Sequence, residues 1–303
     1  AEIMLADQKY AEAAKWFAKA PKTQLDETAY YQYIVAEFYS GNAKNALEVA
    51  RHGLQKYAGS EYLSRLAVMA AVDQNQFPEA LTYSENVMRG KEQKNYNDYY
   101  YYGQALAGND KFQEAINAYN KCLELKPGEV DPLSKLSAAY AGLGDGDKAL
   151  DFQRQYLEKG TNITSTDWAN FAAIYIKMGD QVDSLDHAKA VGYYTQAMDV
   201  YEKMTEKFPT LKDWCWVAEA SVALGKLKDL DKVRDLYMKV AEYEEAKADK
   251  SDANTKNYLV AAYYFLGYYY AGKNDAETSK SYFEKLIQID PENAEAKKAL
   301  GLE

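Results

Sequence analysis

Residues 99–127 read YYYYGQALAGNDKFQEAINAYNKCLELKP, and this stretch decides the fold. Tyr99, Tyr102 and Leu106 recur at helical spacing, so they form one stripe along a first helix. Gly103 lies within that stripe, where a residue without a side chain lets a second helix approach closely. The rest of the stretch carries a small alanine in the corresponding place and ends at a proline. The stretch therefore predicts two paired helices joined by a short turn.

The same arrangement of large and small residues recurs along the chain. The small residue of the second helix returns at Ala46, Ala80, Ala115 and Ala149, which are 34, 35 and 34 residues apart. This period and this pattern resemble the tetratricopeptide repeat, whose unit is a hairpin of two helices. One hairpin cannot bury its own apolar face, whereas stacked neighbours can. The resemblance implies an all-α fold, a right-handed superhelical solenoid of antiparallel helix hairpins.

The repeat pattern covers essentially the whole chain, and we predict one solenoid over residues 1–303 with about seven hairpins. Two intervals are longer than the period, and we expect lengthened helices in the first and an exposed, charged loop in the second. The predicted segments are a partial first repeat at 1–24, regular repeats at 25–160, repeats with insertions at 181–193 and 242–255 over 161–291, and the start of a capping helix at 292–303.

Local signals predict where the helices turn and what lies on their surface. Gly144-Asp145 and Gly179-Asp180 predict turns between paired helices, because glycine commonly ends a helix. Gly41-Asn42 does the same earlier in the chain. The acidic run around Glu244 is most simply a solvated helix face.

Composition and motifs argue against several classes of function. The formal net charge is -10, and nucleic-acid binding usually needs a basic surface, so we expect no nucleic-acid partner. No apolar segment reaches the length of a membrane-spanning helix, so we expect no membrane insertion.

We find no catalytic motif, and expect no enzyme activity, cofactor or metal. His187 has Asp183 one turn before it, and Cys122 and Cys215 are far apart, so we predict a solvated histidine and two free, partly buried thiols.

In the tetratricopeptide family the first helix of each hairpin lines a concave groove that holds the ligand. What this implies here is a set of groove-facing side chains on first helices, out of phase with the buried stripe. Tyrosine and tryptophan suit such a surface because they offer a large contact area with few rotatable bonds. The predicted binding residues are Tyr31, Tyr100, Tyr101, Gln104, Lys135, Asn170, Lys177, Trp216, Tyr264 and Tyr268.

The leading interpretation is a non-enzymatic scaffold or adaptor that binds a protein or peptide partner and is itself a monomer. One alternative is a carbohydrate- or small-ligand-binding protein that uses groove tyrosines and tryptophans as stacking platforms. Another is the regulatory arm of an enzyme complex, which a tight cluster of buried carboxylates would favour. The abundance of lysine, tyrosine and asparagine indicates an AT-rich bacterial genome, and we expect a periplasmic or cell-envelope location, with the cytoplasm as the alternative.

Overall fold

The computed structural model describes residues 2–247 and 252–302, and all regular secondary structure in them is helical. The chain forms two compact units, residues 1–160 and 161–303. Within each unit, every helix packs against the helix that follows it in the sequence. The predicted all-α array of helix hairpins is therefore confirmed.

The first unit begins with two short helices and continues with four hairpins. Each hairpin pairs one helix with the next in the chain, and the odd-numbered helices from α3 onward are the first members of their hairpins. The helices are α1 (Glu2–Ala6), α2 (Tyr10–Phe17), α3 (Glu27–Tyr39), α4 (Ala43–Lys56), α5 (Glu61–Asp73), α6 (Phe77–Arg89), α7 (Tyr96–Ala107), α8 (Phe112–Leu125), α9 (Asp131–Leu143) and α10 (Gly146–Lys159).

The second unit contains three hairpins and a short last helix. Its first two helices and its fifth are longer than most of those in the first unit. The helices are α11 (Ser165–Val182), α12 (His187–Lys207), α13 (Lys212–Val222), α14 (Leu230–Glu245), α15 (Ala253–Gly272), α16 (Ala276–Ile289) and α17 (Ala294–Ala299).

First helices of the first unit form an inner layer. Besides packing on its hairpin partner, α5 contacts both α3 and α7, and α7 also contacts α9. The apolar stripe of each helix faces its neighbours, and the small alanines Ala46, Ala80, Ala115 and Ala149 are completely buried. Close packing at these alanines brings successive hairpins together, and this positions the side chains of α3, α5 and α7 beside one another.

Two of the three predicted turns are confirmed. Gly144 ends α9 in the left-handed conformation, at φ +81°, and Asp145 then accepts a hydrogen bond from the backbone of Lys148 to cap α10. Gly41 has φ +85°, and the Asn42 side chain caps α4. Only glycine takes this backbone conformation without steric cost, which explains why these dipeptides mark the turns.

The turn predicted at Gly179-Asp180 is wrong. Gly179 lies inside α11, is buried, and packs under the ring of Tyr194 from α12. The chain turns instead at residues 183–186, and the Asp186 side chain caps α12. Sequence could not separate the two cases, because a glycine at a helix end and a glycine at a close helix contact have the same local appearance.

Both predicted insertions fall at helix ends. Residues 181–193 contain the end of α11, a short turn and the start of the 21-residue helix α12. Residues 242–255 contain the end of α14 and the start of α15, and part of this segment, 248–251, lies outside the described residues. Within the described residues no helix is both long enough and apolar enough to cross a membrane.

Candidate functional site

The first unit contains a cleft of about 360 Å3 between the first helices of three successive hairpins. Tyrosine rings dominate its rim. Tyr31 and Tyr39 come from α3, Tyr62 from α5 and Tyr101 from α7. The first three of these side chains are among the most exposed large apolar groups of the unit. Their broad faces and hydroxyl groups therefore remain available to a ligand.

One wall of the cleft is held in place by an ion pair between α5 and α7. Arg65 Nε donates to Asp98 Oδ1 at 2.8 Å, and Arg65 Nη2 donates to Asp98 Oδ2 at 3.2 Å. Asp98 Oδ2 also accepts from the backbone N–H of Asn95 at 2.9 Å, while the Asn95 side chain accepts from the backbone of Asp98. This reciprocal capping fixes the start of α7, and with it the position of Tyr101 one turn later.

The same ion pair sets the electrostatics of the cleft. Burial acts to lower the pKa of Arg65, but the hydrogen bonds and charge of Asp98 outweigh it, and the net direction is upward. Burial, with Tyr39 and Asp73 nearby, raises the pKa of Tyr101. The raised pKa keeps the Arg65 guanidinium charged against Asp98, and the raised pKa of Tyr101 keeps its hydroxyl neutral at neutral pH.

Part of the cleft lining is apolar. Leu66 and Val87 are buried, and Met69 lines the same space. The nearby hydroxyl of Ser84 is satisfied by the carbonyl of Ala80 one turn earlier, at 2.8 Å. A ligand group that enters the cleft therefore contacts methyl and methylene groups and tyrosine rings, beside the polar side chains of the wall.

Of the predicted binding residues, the structure brings Tyr31 and Tyr101 together at this cleft. The expectation that Tyr100 faces away from the core is wrong. Its ring stacks on Tyr96 at 5.7 Å, meets Tyr119 edge-on at 6.3 Å and packs against the buried cluster around Leu106. Burial raises the pKa of Tyr100, which agrees with this position.

Two further predicted residues of the first unit lie outside the cleft lining. Gln104 is half-buried on α7, and Lys135 is half-buried on α9. Both lie on first helices, as predicted. Their part in binding stays a prediction.

Sequence reasoning missed Tyr39 and Tyr62. In α5 the buried residues Leu63, Leu66, Ala67 and Ala70 form a helical stripe, and Tyr62 lies off it. The phase of that stripe would have identified Tyr62 as a surface aromatic of a first helix. Tyr39 is the last residue of α3, and its place at the cleft depends on where that helix ends.

The second unit carries a separate exposed aromatic pair. The rings of Tyr264 and Tyr268 on α15 are 4.9 Å apart, and both side chains are exposed. The Tyr268 hydroxyl donates to Glu295 Oε2 of α17 at 2.6 Å, and this bond, together with burial, raises the pKa of Tyr268 to about 12. The last helix therefore already engages one ring of the pair.

On α13 the predicted phase is wrong by one residue. Cys215 is completely buried, whereas Trp214 is exposed. Trp216, expected to face a groove, is half-buried, packs against the core cluster that contains Val240, and meets Tyr243 edge-on at 5.8 Å. Asn170 and Lys177 are both exposed on α11, and their part in binding stays a prediction.

The prediction that the acidic run near the end of α14 is a solvated helix face is wrong for Glu244. Glu244 is 0% exposed, and it lies beside Asp213 of α13, which is also buried. Lys247 Nζ donates to Glu244 Oε1 at 2.7 Å and to Asp213 Oδ2 at 3.0 Å. Burial and the neighbouring Asp213 carboxyl raise the pKa of Glu244. Burial also acts to raise the pKa of Asp213, but hydrogen bonds from Glu244 and Lys247 outweigh it and lower it.

The contacts of this buried pair indicate a structural role. Lys247 bridges the two carboxyl groups, and Thr255 of α15 is buried next to them. Among the described residues no group of three or more histidine, cysteine, aspartate or glutamate side chains is arranged to hold a metal ion. His187 lies at the surface, with Nδ1 2.6 Å from Asp183 Oδ1. Cys122 and Cys215 are free and buried.

Comparison with known proteins agrees with this architecture. Two segments, residues 96–129 and 260–293, match models of the tetratricopeptide repeat. The C-terminal part of a TPR repeat-containing protein from Cytophaga hutchinsonii superimposes with a TM-score of 0.63 at 19% identity, covering 89% of this chain and 99% of that one. A tetratricopeptide repeat protein from Parabacteroides merdae gives 0.51 at 14% identity, covering 91% and 98%.

Human superkiller complex protein 3 is 21% identical over 193 residues, or 64% of this chain, and the match spans only 11% of that protein. The fold and the matched repeats define a helical-hairpin repeat protein. The chain contains two segments that match the tetratricopeptide repeat, and its fold is similar to that of solved tetratricopeptide repeat proteins. Proteins built from these repeats are in general non-enzymatic scaffolds that bind protein partners.

Proposed function

We propose that this chain binds a protein or peptide partner through the tyrosine-rimmed cleft of its first unit. The observation that carries the proposal is the meeting of Tyr31, Tyr62 and Tyr101 from three successive first helices at one cleft. Exposed aromatic rings around a concave apolar floor are typical of interaction hot spots. The ion pair between Arg65 and Asp98 supports the proposal, because it holds the wall in one geometry before a ligand arrives.

The scaffold interpretation is favoured over catalysis by the chemistry at the cleft. Asp98 is engaged by Arg65 and by the backbone of Asn95, so it is poorly placed to move a proton. The buried carboxylates Asp213 and Glu244, which might otherwise argue for a regulatory or catalytic arm, are tied to Lys247. Their contacts support a role in stability.

The test is a quantitative pull-down from an extract of the native cell with three forms of the chain. The cleft variant is Tyr62→Ala combined with Tyr101→Ala. The control is Trp16→Ala, because Trp16 is as exposed as Tyr62, at 53%, and lies outside the cleft lining in the same unit. A partner retained by the parent and the control but lost by the cleft variant supports the proposal. Equal retention by all three forms overturns it.

A further inference from the structure

We propose that the cleft accepts one uncharged aromatic side chain of an extended peptide. This inference rests on the proposed function, since it specifies what the peptide-binding cleft selects. It is carried by three features of the cleft: the cancelled charge of its wall, the aromatic character of its rim and a volume large enough for an aromatic ring.

The charge of the wall excludes a charged anchor. Both oxygens of Asp98 accept from Arg65, and one of them also accepts from the Asn95 backbone. The carboxylate and the guanidinium therefore neutralise each other. A lysine or glutamate side chain of a ligand would lose its hydration in the cleft without meeting an unpaired opposite charge, and burying an unpaired charge is strongly unfavourable.

The rim favours an aromatic group over an aliphatic one. Tyr31, Tyr62 and Tyr101 approach from three different helices, so an inserted ring meets both the faces and the edges of other rings. Aromatic pairs prefer such offset and edge-on arrangements. Leu66 and Met69 provide an apolar floor for the same ring.

The volume admits an aromatic anchor. A cleft of about 360 Å3 lies at the lower end of the range for ligand pockets, and it is larger than the roughly 150 Å3 that encloses a benzene ring. A sugar ring would also stack on the tyrosines, and the experiment below distinguishes it from a peptide anchor.

The experiment is a selection of random linear peptides displayed on phage, panned on the full chain. Three forms are panned in parallel: the parent, Tyr62→Ala and the control Trp16→Ala. We expect the parent and the control to enrich peptides that share phenylalanine, tyrosine or tryptophan at one position. Binding of those peptides to Tyr62→Ala should be weaker by at least about tenfold.

A selected peptide is then synthesised with its aromatic anchor replaced by leucine, lysine or glutamate, and the affinities are measured by fluorescence anisotropy. Loss in the order aromatic, leucine, charged supports the inference. Tyr62-dependent peptides with a charged shared residue would overturn the inference and leave the proposed function standing. A selection without any Tyr62-dependent peptide overturns both, as does Tyr62-dependent binding confined to oligosaccharides on a glycan array.

Discussion

The ring of Tyr194 occupies the space in which Gly179 would carry a side chain. A β-carbon built on Gly179 lies 2.4 Å from Cε1 of Tyr194, well inside van der Waals contact. Tyr194 is 0% exposed, and its hydroxyl donates to Asp180 Oδ1 at 2.7 Å, so the ring is held on several sides. The glycine therefore sets how closely α11 and α12 approach.

Gly179→Ala should destabilise the protein by about 1–3 kcal/mol, because the added methyl group forces the ring or the helix to move. The measurement is urea denaturation followed by circular dichroism. Gly192→Ala is the matched control: Gly192 is an exposed position inside α12 with open space around it. Alanine there should stabilise by about 0.5–1 kcal/mol through helix propensity. Equal effects of the two substitutions would contradict the packing argument.

The same relationship recurs in other hairpins. A β-carbon on Gly103 would lie 2.5 Å from the ring of Tyr119, and one on Gly267 would lie 2.8 Å from the ring of Phe283. In each case a glycine of the first helix receives an aromatic ring from the second. We expect Gly103→Ala and Gly267→Ala to lower the free energy of unfolding by amounts similar to that of Gly179→Ala, about 1–3 kcal/mol in the same urea experiment.

Tyr100 and Tyr62 should respond differently to truncation. Tyr100→Ala should cost about 1–3 kcal/mol of stability, since its ring packs on Tyr96, Tyr119 and the core. Tyr62→Ala should change the melting temperature little, because that side chain is mostly exposed. Thermal melts of the two variants distinguish them. A Tyr100→Ala protein that melts like the parent would contradict its assignment to the core.

The buried carboxyl pair predicts a pH dependence of stability. The folded protein raises the pKa of Glu244 above its ordinary value of 4.5. The folded state then holds its proton more tightly than the unfolded state, so this contribution is complete below pH 4.5 and is lost as the pH rises through the raised value. Asp213 acts in the opposite sense: its lowered pKa contributes stability that is lost as the pH falls below its ordinary 3.8.

Glu244→Gln should therefore stabilise the protein at pH 7, by about 1.4 kcal/mol for each unit by which the pKa of Glu244 is raised. Glutamine keeps the size of the protonated carboxyl and removes its titration. The gain should shrink towards pH 4.5, as followed by melting temperature across this range. Glu242→Gln, an exposed position on the same helix, is the control. A gain for Glu244→Gln that is independent of pH would contradict the mechanism.

The two thiols should be inert in the folded protein. Both are completely buried, and burial raises the pKa of Cys122 to about 12 and that of Cys215 to about 11. Because the thiolate is the reactive form, disulfide-exchange reagents should label both cysteines slowly in buffer and rapidly in denaturant. Absorbance during reaction with an aromatic disulfide measures this. Fast labelling of the native protein would contradict the burial of the thiols.

The repeat architecture was predictable because it depends on a long-range period. The alanines at 46, 80, 115 and 149 repeat the same packing contact, and an error at one position does not disturb the others. Individual turns were less secure. Gly179 resembles Gly144 in sequence, but one fills a helix contact and the other ends a helix.

The candidate site was only partly predictable, because the direction of each side chain depends on the helix phase, which changes by about 100° from one residue to the next. On α13 the exposed ring is Trp214, whereas Trp216, predicted to face a groove, packs against the core. The prediction for Tyr100 was wrong for another reason. Long side chains on a helix point back towards its N-terminus, and the Tyr100 ring therefore reaches Tyr96 and the core. Tyr31 and Tyr101 were predicted one helix at a time, whereas their meeting with Tyr62 at one cleft depends on the packing of three helices.

Packing between sequence neighbours has a mechanical consequence. Each helix of a unit rests chiefly on the helices next to it in the chain, and no distant strand or helix locks it in place among the described residues. Tension applied at the two ends of such a unit is resisted by one hairpin interface at a time. Each unit should therefore lengthen in hairpin-sized steps at low force and shorten again as the tension falls, in the manner of an elastic tether.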